Sequence, residues 1–400
     1  MYYNVNMEIR LKDLKQIGKE VYVDLEYDTK LYLRGCIKKK FSSLSNFSRK
    51  LGLPVDKFSR NNDLIHFFEG HKISLDFLHK IISPFRKDFN DDFIESKLTR
   101  LGVKRRGGEI LNPKFPFKFD IKEGVRVISS ALHDGGISNN GRPTYKNNMK
   151  IMRKQVIDSY VKVFGDLKYG EYGPSISFPK ITGIILQVVG LPKGKKVMNN
   201  PKIPNFIFKL NDNLKSIFLK QAFDDEGCVR VNDISLNLSV KANGKPSNLI
   251  SGLKRLLQDV GIEVNGPYMI LRYIPKDNIT REKWALSIAS RKDLESFHHQ
   301  IGFDIQYKKI KLENKLKSYK TNKYQAKKNK RYLEILKSFK DLFKKNGFVT
   351  INSLSEKSGL TYHYTKQLIW RLERENFVVR INPDNCPVKF KLFEDHKKNN

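Results

Sequence analysis

The pattern of apolar and polar positions predicts alternating helices and strands across residues 122–318. The clearest stretch begins with the apolar segment Phe218–Phe223, which runs into acidic residues and Gly227. It continues with the strand-like segments CVRVN and ISLNLSVKA, the helical PSNLISGLKRLLQDVGI, two more strands, YMILRYI and KWALSIAS, and the helical RKDLESFHHQIGF. Strands repeat every second residue and helices every 3.6 residues, so the predicted order is helix–strand–strand–helix–strand–strand–helix. This order is typical of an α+β domain.

A similar order occurs earlier in the chain, which indicates an internal duplication. The helical segment VISSALHDGG ends in Asp134 and Gly135, just as the later helix ends in Glu226 and Gly227. It is followed by the strand-like GRPTY, the helical MKIMRKQVIDSYVKVFG, the strand-like PSISFPKI and the helical ITGIILQVVGL. We therefore predict one domain over 121–318, with repeat one at 121–210 and repeat two at 211–318.

The first 120 residues are predicted to form a helical domain with a helix-turn-helix and a basic arm. In residues 43–61, SLSNFSRKLGL and VDKFSRN are typical of two short helices joined at Gly52. Lys57 and Arg60 of the second helix could contact DNA. A generic helical bundle is the alternative interpretation. Residues 84–120 are basic and rich in turn signals, which favours a linker or an arm facing DNA.

The end of the chain is predicted to be a separate domain. Residues 319–330 are almost purely basic and polar, as in a linker, and 331–400 form the domain itself. Its pattern of helix, short strand, two helices and two strands is typical of a winged helix. The polar face of the third helix carries the candidate DNA contacts Tyr362, Thr365, Lys366 and Arg371. The alternative is a small helical domain that docks on the core.

Composition points to a polyanionic partner. The 400 residues include 76 Lys and Arg but only 42 Asp and Glu, a formal charge of +34. Such self-repulsion is tolerated when the partner is a polyanion, and nucleic acid is the first expectation. A solvated basic surface is the alternative.

Other classes of protein are excluded by what the sequence lacks. The longest apolar stretch is well short of the roughly 20 residues of a membrane span, and the start resembles no signal peptide. The three separated cysteines fit neither a disulfide scaffold nor a cysteine-rich zinc site. We therefore expect a cytoplasmic protein without membrane contact.

The repeated helix ends resemble the LAGLIDADG family of homing endonucleases in its monomeric, two-repeat form. The nine-residue motif corresponds to Val127–Gly135 and Leu219–Gly227. The segments LPKGKKVMNNPKIPNFI and IGFDIQYKKIKLENKL are also similar to those of archaeal members, including intein endonuclease domains. The resemblance implies a duplicated αββαββα core whose two motif helices pack side by side beneath an antiparallel saddle that lies along DNA.

The resemblance also implies a metal site. Asp134 and Glu226 would bind divalent metal, and hard carboxylate ligands suit Mg²⁺. Asp224 and Asp225 are rival ligands, although a helix cap or a salt bridge is the preferred interpretation of Asp224. Lys241, with Lys146 as its weaker counterpart, matches the position of the family's catalytic lysine.

Three further consequences concern the partner. The saddle strands offer Arg230, Asn232, Asn237, Ser239 and Arg272 as contacts to base edges, with ordinary solvated strand polarity as the alternative. The expected function is site-specific hydrolysis of double-stranded DNA by a monomer. The alternatives are a DNA-binding transcriptional regulator built on the same fold, and an intron RNA maturase.

Overall fold

The computed structural model of the protein describes residues 7–53, 63–104, 107–319, 323–375, 377–382 and 387–393. They form two compact units, Met1–Leu316 and Lys317–Asn400. Within the described ranges, no helix combines the length and the apolar character that a bilayer span requires.

The N-terminal part of the first unit combines helices with strands. Its strands are β1 Glu8–Ile9, β2 Val21–Leu25, β3 Ile73–Ser74, β4 Leu98–Val103, β5 Glu109–Leu111 and β6 Phe117–Lys118. Its helices are α1 Tyr27–Phe41, α2 Leu44–Lys50, α3 Asp63–Phe68, α4 Leu75–Ile82 and α5 Asp91–Ser96, with 3-10 turns at Leu11–Ile17 and Ser83–Phe85.

This arrangement differs from the helical domain and basic arm predicted for residues 1–120. Strands β4 and β5, inside the predicted arm, pair antiparallel with fully buried Leu101 and Ile110 at their centre. They belong to a five-stranded sheet of order β3-β2-β4-β5-β9, whose last strand comes from the following segment (β9, Asp166–Leu167). No boundary between compact units therefore falls at residue 120.

The remainder of the first unit contains the two predicted helix–strand successions. The first consists of α6 Lys122–Leu132, β7 Gly135–Ile137, β8 Pro143–Lys146, α7 Lys150–Phe164, β9, β10 Gly170–Tyr172, β11 Ser175–Ser177, α8 Lys180–Val188 and α9 Lys196–Asn199. After a 3-10 turn at Asn205–Lys209, the second consists of α10 Asp212–Glu226, β12 Gly227–Val229, β13 Ile234–Lys241, α11 Asn248–Asp259, β14 Asn265–Tyr273, β15 Arg281–Ile288, α12 Arg291–Gln300 and α13 Gln306–Tyr319.

Each succession builds its own antiparallel four-stranded sheet, in the orders β10-β11-β8-β7 and β12-β13-β15-β14. A mixed fold with several small antiparallel sheets confirms the predicted α+β class.

Helices α6 and α10 pack against each other, and each leads directly into a strand. Ser129 of α6 is fully buried, and its Oγ donates a hydrogen bond to the carbonyl oxygen of Phe218 at 2.8 Å. Glycine follows both helices because there is no room for a side chain. A Cβ on Gly135 would lie 2.7 Å from the carbonyl oxygen of Ser130, and one on Gly227 2.5 Å from that of Phe223. The chain can therefore turn sharply from helix to strand, which leaves the preceding acids at the turn.

The second unit has the predicted order of elements. These are α14 Lys323–Asn346, β16 Val349–Thr350, α15 Ile351–Ser358, α16 Tyr362–Arg374, β17 Val378–Arg380 and β18 Lys389–Leu392, with the strands in the order β16-β18-β17. Its core includes Phe339, Leu354, Ile369, Leu372 and Phe390.

Thr365, predicted to contact DNA, is instead fully buried on the inner side of α16. The helical period accounts for this, because Thr365 lies four residues before Ile369 and so faces the same core.

Candidate active site

Three carboxylates meet where α6 and α10 end. Asp134 follows α6 within two residues, and Asp225 and Glu226 are the last residues of α10. All three residues are partly buried.

Polar side chains from strand β8 and from α10 fix two of these acids. Asn147, just after β8, donates from Nδ2 to Asp134 Oδ2 at 2.8 Å, while its Oδ1 accepts the backbone N–H of Met149 at 2.9 Å. The Tyr145 hydroxyl donates to Asp225 Oδ1 at 2.7 Å, and Gln221 Nε2 donates to the same oxygen at 3.0 Å. Asp134 and Asp225 are thus held side by side by donors from neighbouring positions.

Two lysines, the buried Lys308 and the partly buried Lys196, lie against the ends of the same helices. Lys308 donates from Nζ to the carbonyl oxygens of Phe223 at 3.0 Å and Asp224 at 2.5 Å, at the end of α10. Lys196 donates to the carbonyl oxygen of Leu132 at 3.1 Å and to that of His133, at the end of α6. Both lysines lie at the negative ends of helix dipoles, where a cation is stabilised.

The electrostatics of the cluster favour protonated acids. Burial, followed by the charge of Asp134, raises the pKa of Glu226 and raises the pKa of Asp225 well above its ordinary value. Burial also raises the pKa of Asp134, against the opposing hydrogen bond from Asn147 and the charges of Lys196 and Lys308. These carboxylates therefore repel one another in a partly desolvated site.

Burial lowers the pKa of both Lys196 and Lys308, although the nearby acids oppose the effect. His133, next to Asp134, is buried, and its burial with the adjacent Lys196 lowers the histidine pKa to about 3. A buried imidazole with so low a pKa is unsuited to act as a general base at neutral pH.

Glu226 opens into a cavity of about 300 Å³. Among its lining residues are Lys196, Asn237, Ser239 and Lys283. Asn237 and Ser239 alternate on one face of β13, and Lys283 of β15 lies opposite Ser239, which gives this face of the sheet a polar character. The structure thus brings the predicted contacts Asn237 and Ser239 to the acid Glu226.

The side chains of the predicted catalytic lysines, Lys146 and Lys241, do not lie beside the acids as expected. Lys146 is exposed between Tyr145 and Asn147, and since side chains alternate along a strand, its neighbours point to the acids while it points away. Lys241 lies on the polar face of β13 at its exposed end. Instead, the positive charges near the acids come from Lys196 and Lys308, which oppose the rise in the pKa of Asp134 and Glu226.

The other predicted saddle contacts do not lie on the face of β13 that carries Asn237 and Ser239. Arg230 and Asn232 lie in the turn after β12, where the Arg230 guanidinium donates to Ser235 Oγ at 2.6 Å. Arg272 of β14 lies opposite Glu282 of β15, and Glu282 lies opposite Val240 of β13. Because side chains alternate along a strand, Val240 and its partners face away from the side of the sheet that carries Ser239. Its guanidinium forms an ion pair with the fully buried Glu282 carboxylate at 2.5 Å.

Asp224 serves as a structural acceptor, as its sequence position suggested. Its two oxygens accept the backbone N–H groups of Asp304 at 3.0 Å and Ile305 at 3.1 Å, directly before α13. This capping role removes Asp224 from the set of available metal ligands.

The flanking candidates fall into two groups. Lys57 and Arg60 lie outside the described residues. On α16, Tyr362 is exposed, Lys366 stacks over the Trp370 ring at 4.8 Å, and Arg371 is bound to Glu375 at 2.7 Å.

Comparison with known proteins gives only partial likenesses. No family model matches the chain. An isomerizing glutamine–fructose-6-phosphate aminotransferase of Methanocaldococcus jannaschii is 26% identical over 269 residues, which is 63% of this chain and 22% of that protein. The chain therefore spans about a fifth of the length of this curated relative.

Solved structures of the homing endonuclease I-DmoI are among those similar to this chain. Mesophilic variants align with a TM-score of 0.31 at 11% identity, over 46% of this chain and 97% of theirs. A complex of I-DmoI with DNA and manganese gives a TM-score of 0.30 at 13% identity, over 46% and 97%. A complex with DNA and calcium gives 0.30 at 12%, over 46% and 90%.

Proposed function

We propose that the protein is a metal-dependent, site-specific endonuclease of double-stranded DNA, with a LAGLIDADG-type core in its first unit. The observation that carries this proposal is the meeting of Asp134 with Asp225 and Glu226 at the ends of two packed helices. Each helix leads into its own antiparallel sheet, and the whole chain carries a charge of +34. A polyanion attracted by that charge would meet a cluster of carboxylates, flanked by Lys196 and Lys308, at the ends of these helices.

The donor set fits a divalent cation such as Mg²⁺. The oxygen ligands are carboxylates, which Mg²⁺ prefers, and their raised pKa values reflect burial and mutual repulsion that a bound cation would relieve. Asp134 and Glu226 would hold the metal, with Asp225 beside them. When bound, the metal supplies an activated water and charge neutralisation at the phosphate.

The chain's own residues prepare the site for that chemistry. Asn147 orients Asp134, while Tyr145 and Gln221 occupy Asp225 with hydrogen bonds, so the carboxylates need little reorganisation when DNA arrives. Lys196 and Lys308 place positive charge beside the acids, where negative charge develops on the phosphate oxygens during cleavage.

DNA contact would come from two places. The polar face of β13 and β15 borders the cavity of Glu226, so side chains that reach a groove lie beside the cleaving acids. The second unit offers the exposed face of α16 as a winged-helix contact. Phosphate contacts to the many lysines would add affinity independent of sequence.

The test is incubation of the purified protein with a library of long duplexes, with Mg²⁺ or with chelator. We expect Mg²⁺-dependent double-strand cleavage at a few sites, lost in Asp134→Asn and in Glu226→Gln. Selective duplex binding without cleavage would instead establish a DNA-binding regulator, which the separate second unit favours as the alternative. Selective binding of a folded intron RNA would establish a maturase.

A further inference from the structure

A second group of side chains of the types that bind metal ions lies far along the chain from the acids, at the end of helix α3. His66, Glu69 and His71 each offer one ligand atom, and these three atoms lie within 4.8 Å of one another. His66 is partly buried, and Glu69 and His71 are exposed. The cluster takes no part in the proposed cleavage of DNA.

The backbone holds the two histidines together. The N–H of His71 donates to the carbonyl oxygen of His66 at 2.9 Å, and the N–H of Gly70 donates to that of Phe67 at 3.2 Å. This pair of bonds is a Schellman motif, which needs a left-handed residue at its turn, and Gly70 supplies it with a φ of 96°. The motif places the residue after the glycine beside the third-last helical residue, a contact that is usually hydrophobic. Here both positions are histidines.

The side-chain geometry suits one shared ion. His66 Nδ1 lies 3.4 Å from Glu69 Oε2. Two ligands at Zn²⁺ distances of about 2.0–2.1 Å in a tetrahedron lie about 3.4 Å apart. The imidazole rings of His66 and His71 are nearly perpendicular, with centroids 5.3 Å apart. The negative end of the helix dipole also favours a cation at this place.

We propose that His66, Glu69 and His71 form a binding site for a divalent transition metal, of which Zn²⁺ is the representative. Two imidazoles and one carboxylate are borderline ligands that select zinc-like ions over the oxygen-seeking Mg²⁺ of the acids. Three protein ligands leave a fourth position for water. The ion would join the last turn of α3 to the segment that enters β3, an edge strand of the five-stranded sheet.

The experiment uses the full-length, untagged protein, stripped of metal and kept in excess Mg²⁺ to occupy the carboxylate site. Co²⁺ is titrated while its visible absorption is followed, and Zn²⁺ is then added as competitor. We expect one equivalent of Co²⁺ to bind, to be displaced by Zn²⁺, and to bind at least about tenfold more weakly to His71→Asn and Glu69→Gln. Because both residues are exposed, these variants should fold, and their melting without metal should match the wild type.

The matched control is the pair His298 and His299, whose rings also lie 5.3 Å apart and of which the first is half-buried and the second exposed. Replacing both with Asn should leave Co²⁺ binding and its displacement by Zn²⁺ unchanged. The proposal is overturned if the wild type binds no Co²⁺ under these conditions. It is equally overturned if His71→Asn binds Co²⁺ as the wild type does, or if the control pair is the one that is needed.

Discussion

Ser129 and Phe218 join the two central helices: the Ser129 Oγ donates to the Phe218 carbonyl oxygen at 2.8 Å. Because Ser129 is fully buried, the approach of α6 to α10 depends on the small size of this side chain as well as on its hydrogen bond. Since Asp134 lies at the end of one helix and Glu226 at the end of the other, the packing of the two helices also sets the distance between these acids.

We predict that Ser129→Ala costs about 1 kcal/mol of unfolding free energy through the lost hydrogen bond. Ser129→Leu should cost more, about 1–3 kcal/mol from overpacking in addition to the lost bond. Chemical denaturation measures both. Ser130→Ala serves as the control. Ser130 is also buried, but its Oγ donates to the carbonyl oxygen of Val127 within α6 and so does not join the two helices. Equal stability of Ser129→Leu and wild type would contradict the close packing.

Asp134→Asn and Glu226→Gln are predicted to stabilise the metal-free protein at neutral pH while abolishing cleavage. The folded-state pKa of each acid is raised above its unfolded value, so ionisation at neutral pH costs folding free energy. The neutral amides avoid that cost, and the carbonyl oxygen of the amide introduced at position 134 can still accept the hydrogen bond from Asn147.

Thermal unfolding in chelator and in Mg²⁺ tests this. Mg²⁺ should raise the melting temperature of the wild type, but not that of either variant. Asp158→Asn, on the exposed side of α7, should behave as the wild type in both conditions. A wild type more stable than both variants in chelator would contradict the electrostatic argument.

The second half of the fold was predictable because its helices and strands are long and strongly periodic. β13 alternates Ile234, Leu236 and Val240 with polar residues, and α11 ends before Gly261. The segment VYVDLEY, which contains β2, is strand-like in the sequence, but the N-terminal sheet as a whole was not predictable because its strands pair between distant segments. Pairing of β5 with β9 has no local signal in the sequence.

Of the site, the sequence indicated the acids and the β13 residues Asn237 and Ser239 that line the cavity of Glu226. Asp134 and Glu226 are marked by a helix that ends in acid and glycine, twice. Lys196 and Lys308 reach the same place from separate segments, and in so lysine-rich a chain nothing distinguishes them before folding. Tyr145 and Asn147 could have been found from strand alternation, which places them on the face opposite to the predicted Lys146.

Lys308→Met is predicted to slow cleavage by about 10²–10³-fold while leaving DNA affinity within a fewfold of wild type, because it removes a fixed positive charge beside the acids. Single-turnover cleavage and equilibrium binding separate the two effects. Lys309→Met is the matched control, since Lys309 is the exposed neighbour of the buried Lys308. If both variants cleave at the wild-type rate, Lys308 has no role in the reaction.

Asp224 gives a pH prediction. Its burial raises its pKa from 3.8 to about 6, despite the two backbone N–H groups that it accepts. Because the folded pKa lies above the unfolded value, this group's contribution to stability is largest at low pH and is lost as the pH rises from the unfolded pKa to the folded one. The unfolding free energy of wild type minus that of Asp224→Asn should therefore fall between about pH 4 and about pH 6. Denaturation at several pH values measures this difference, and a flat or rising difference would contradict the assignment.

The exposed face of α16 gives the last prediction, which concerns DNA affinity rather than cleavage. Lys366, stacked on Trp370, should contact a phosphate if this helix binds DNA. Lys366→Ala should then weaken binding to all duplexes alike and lower the slope of log affinity against log salt by about 1. Arg371→Ala should change affinity less, because its guanidinium is already bound to Glu375.

Thr365→Val is the control, since Thr365 is buried and cannot reach DNA from the folded helix. Fluorescence anisotropy at several salt concentrations measures the slopes. A Lys366→Ala slope equal to that of the wild type would place the DNA contacts of the second unit elsewhere on its surface.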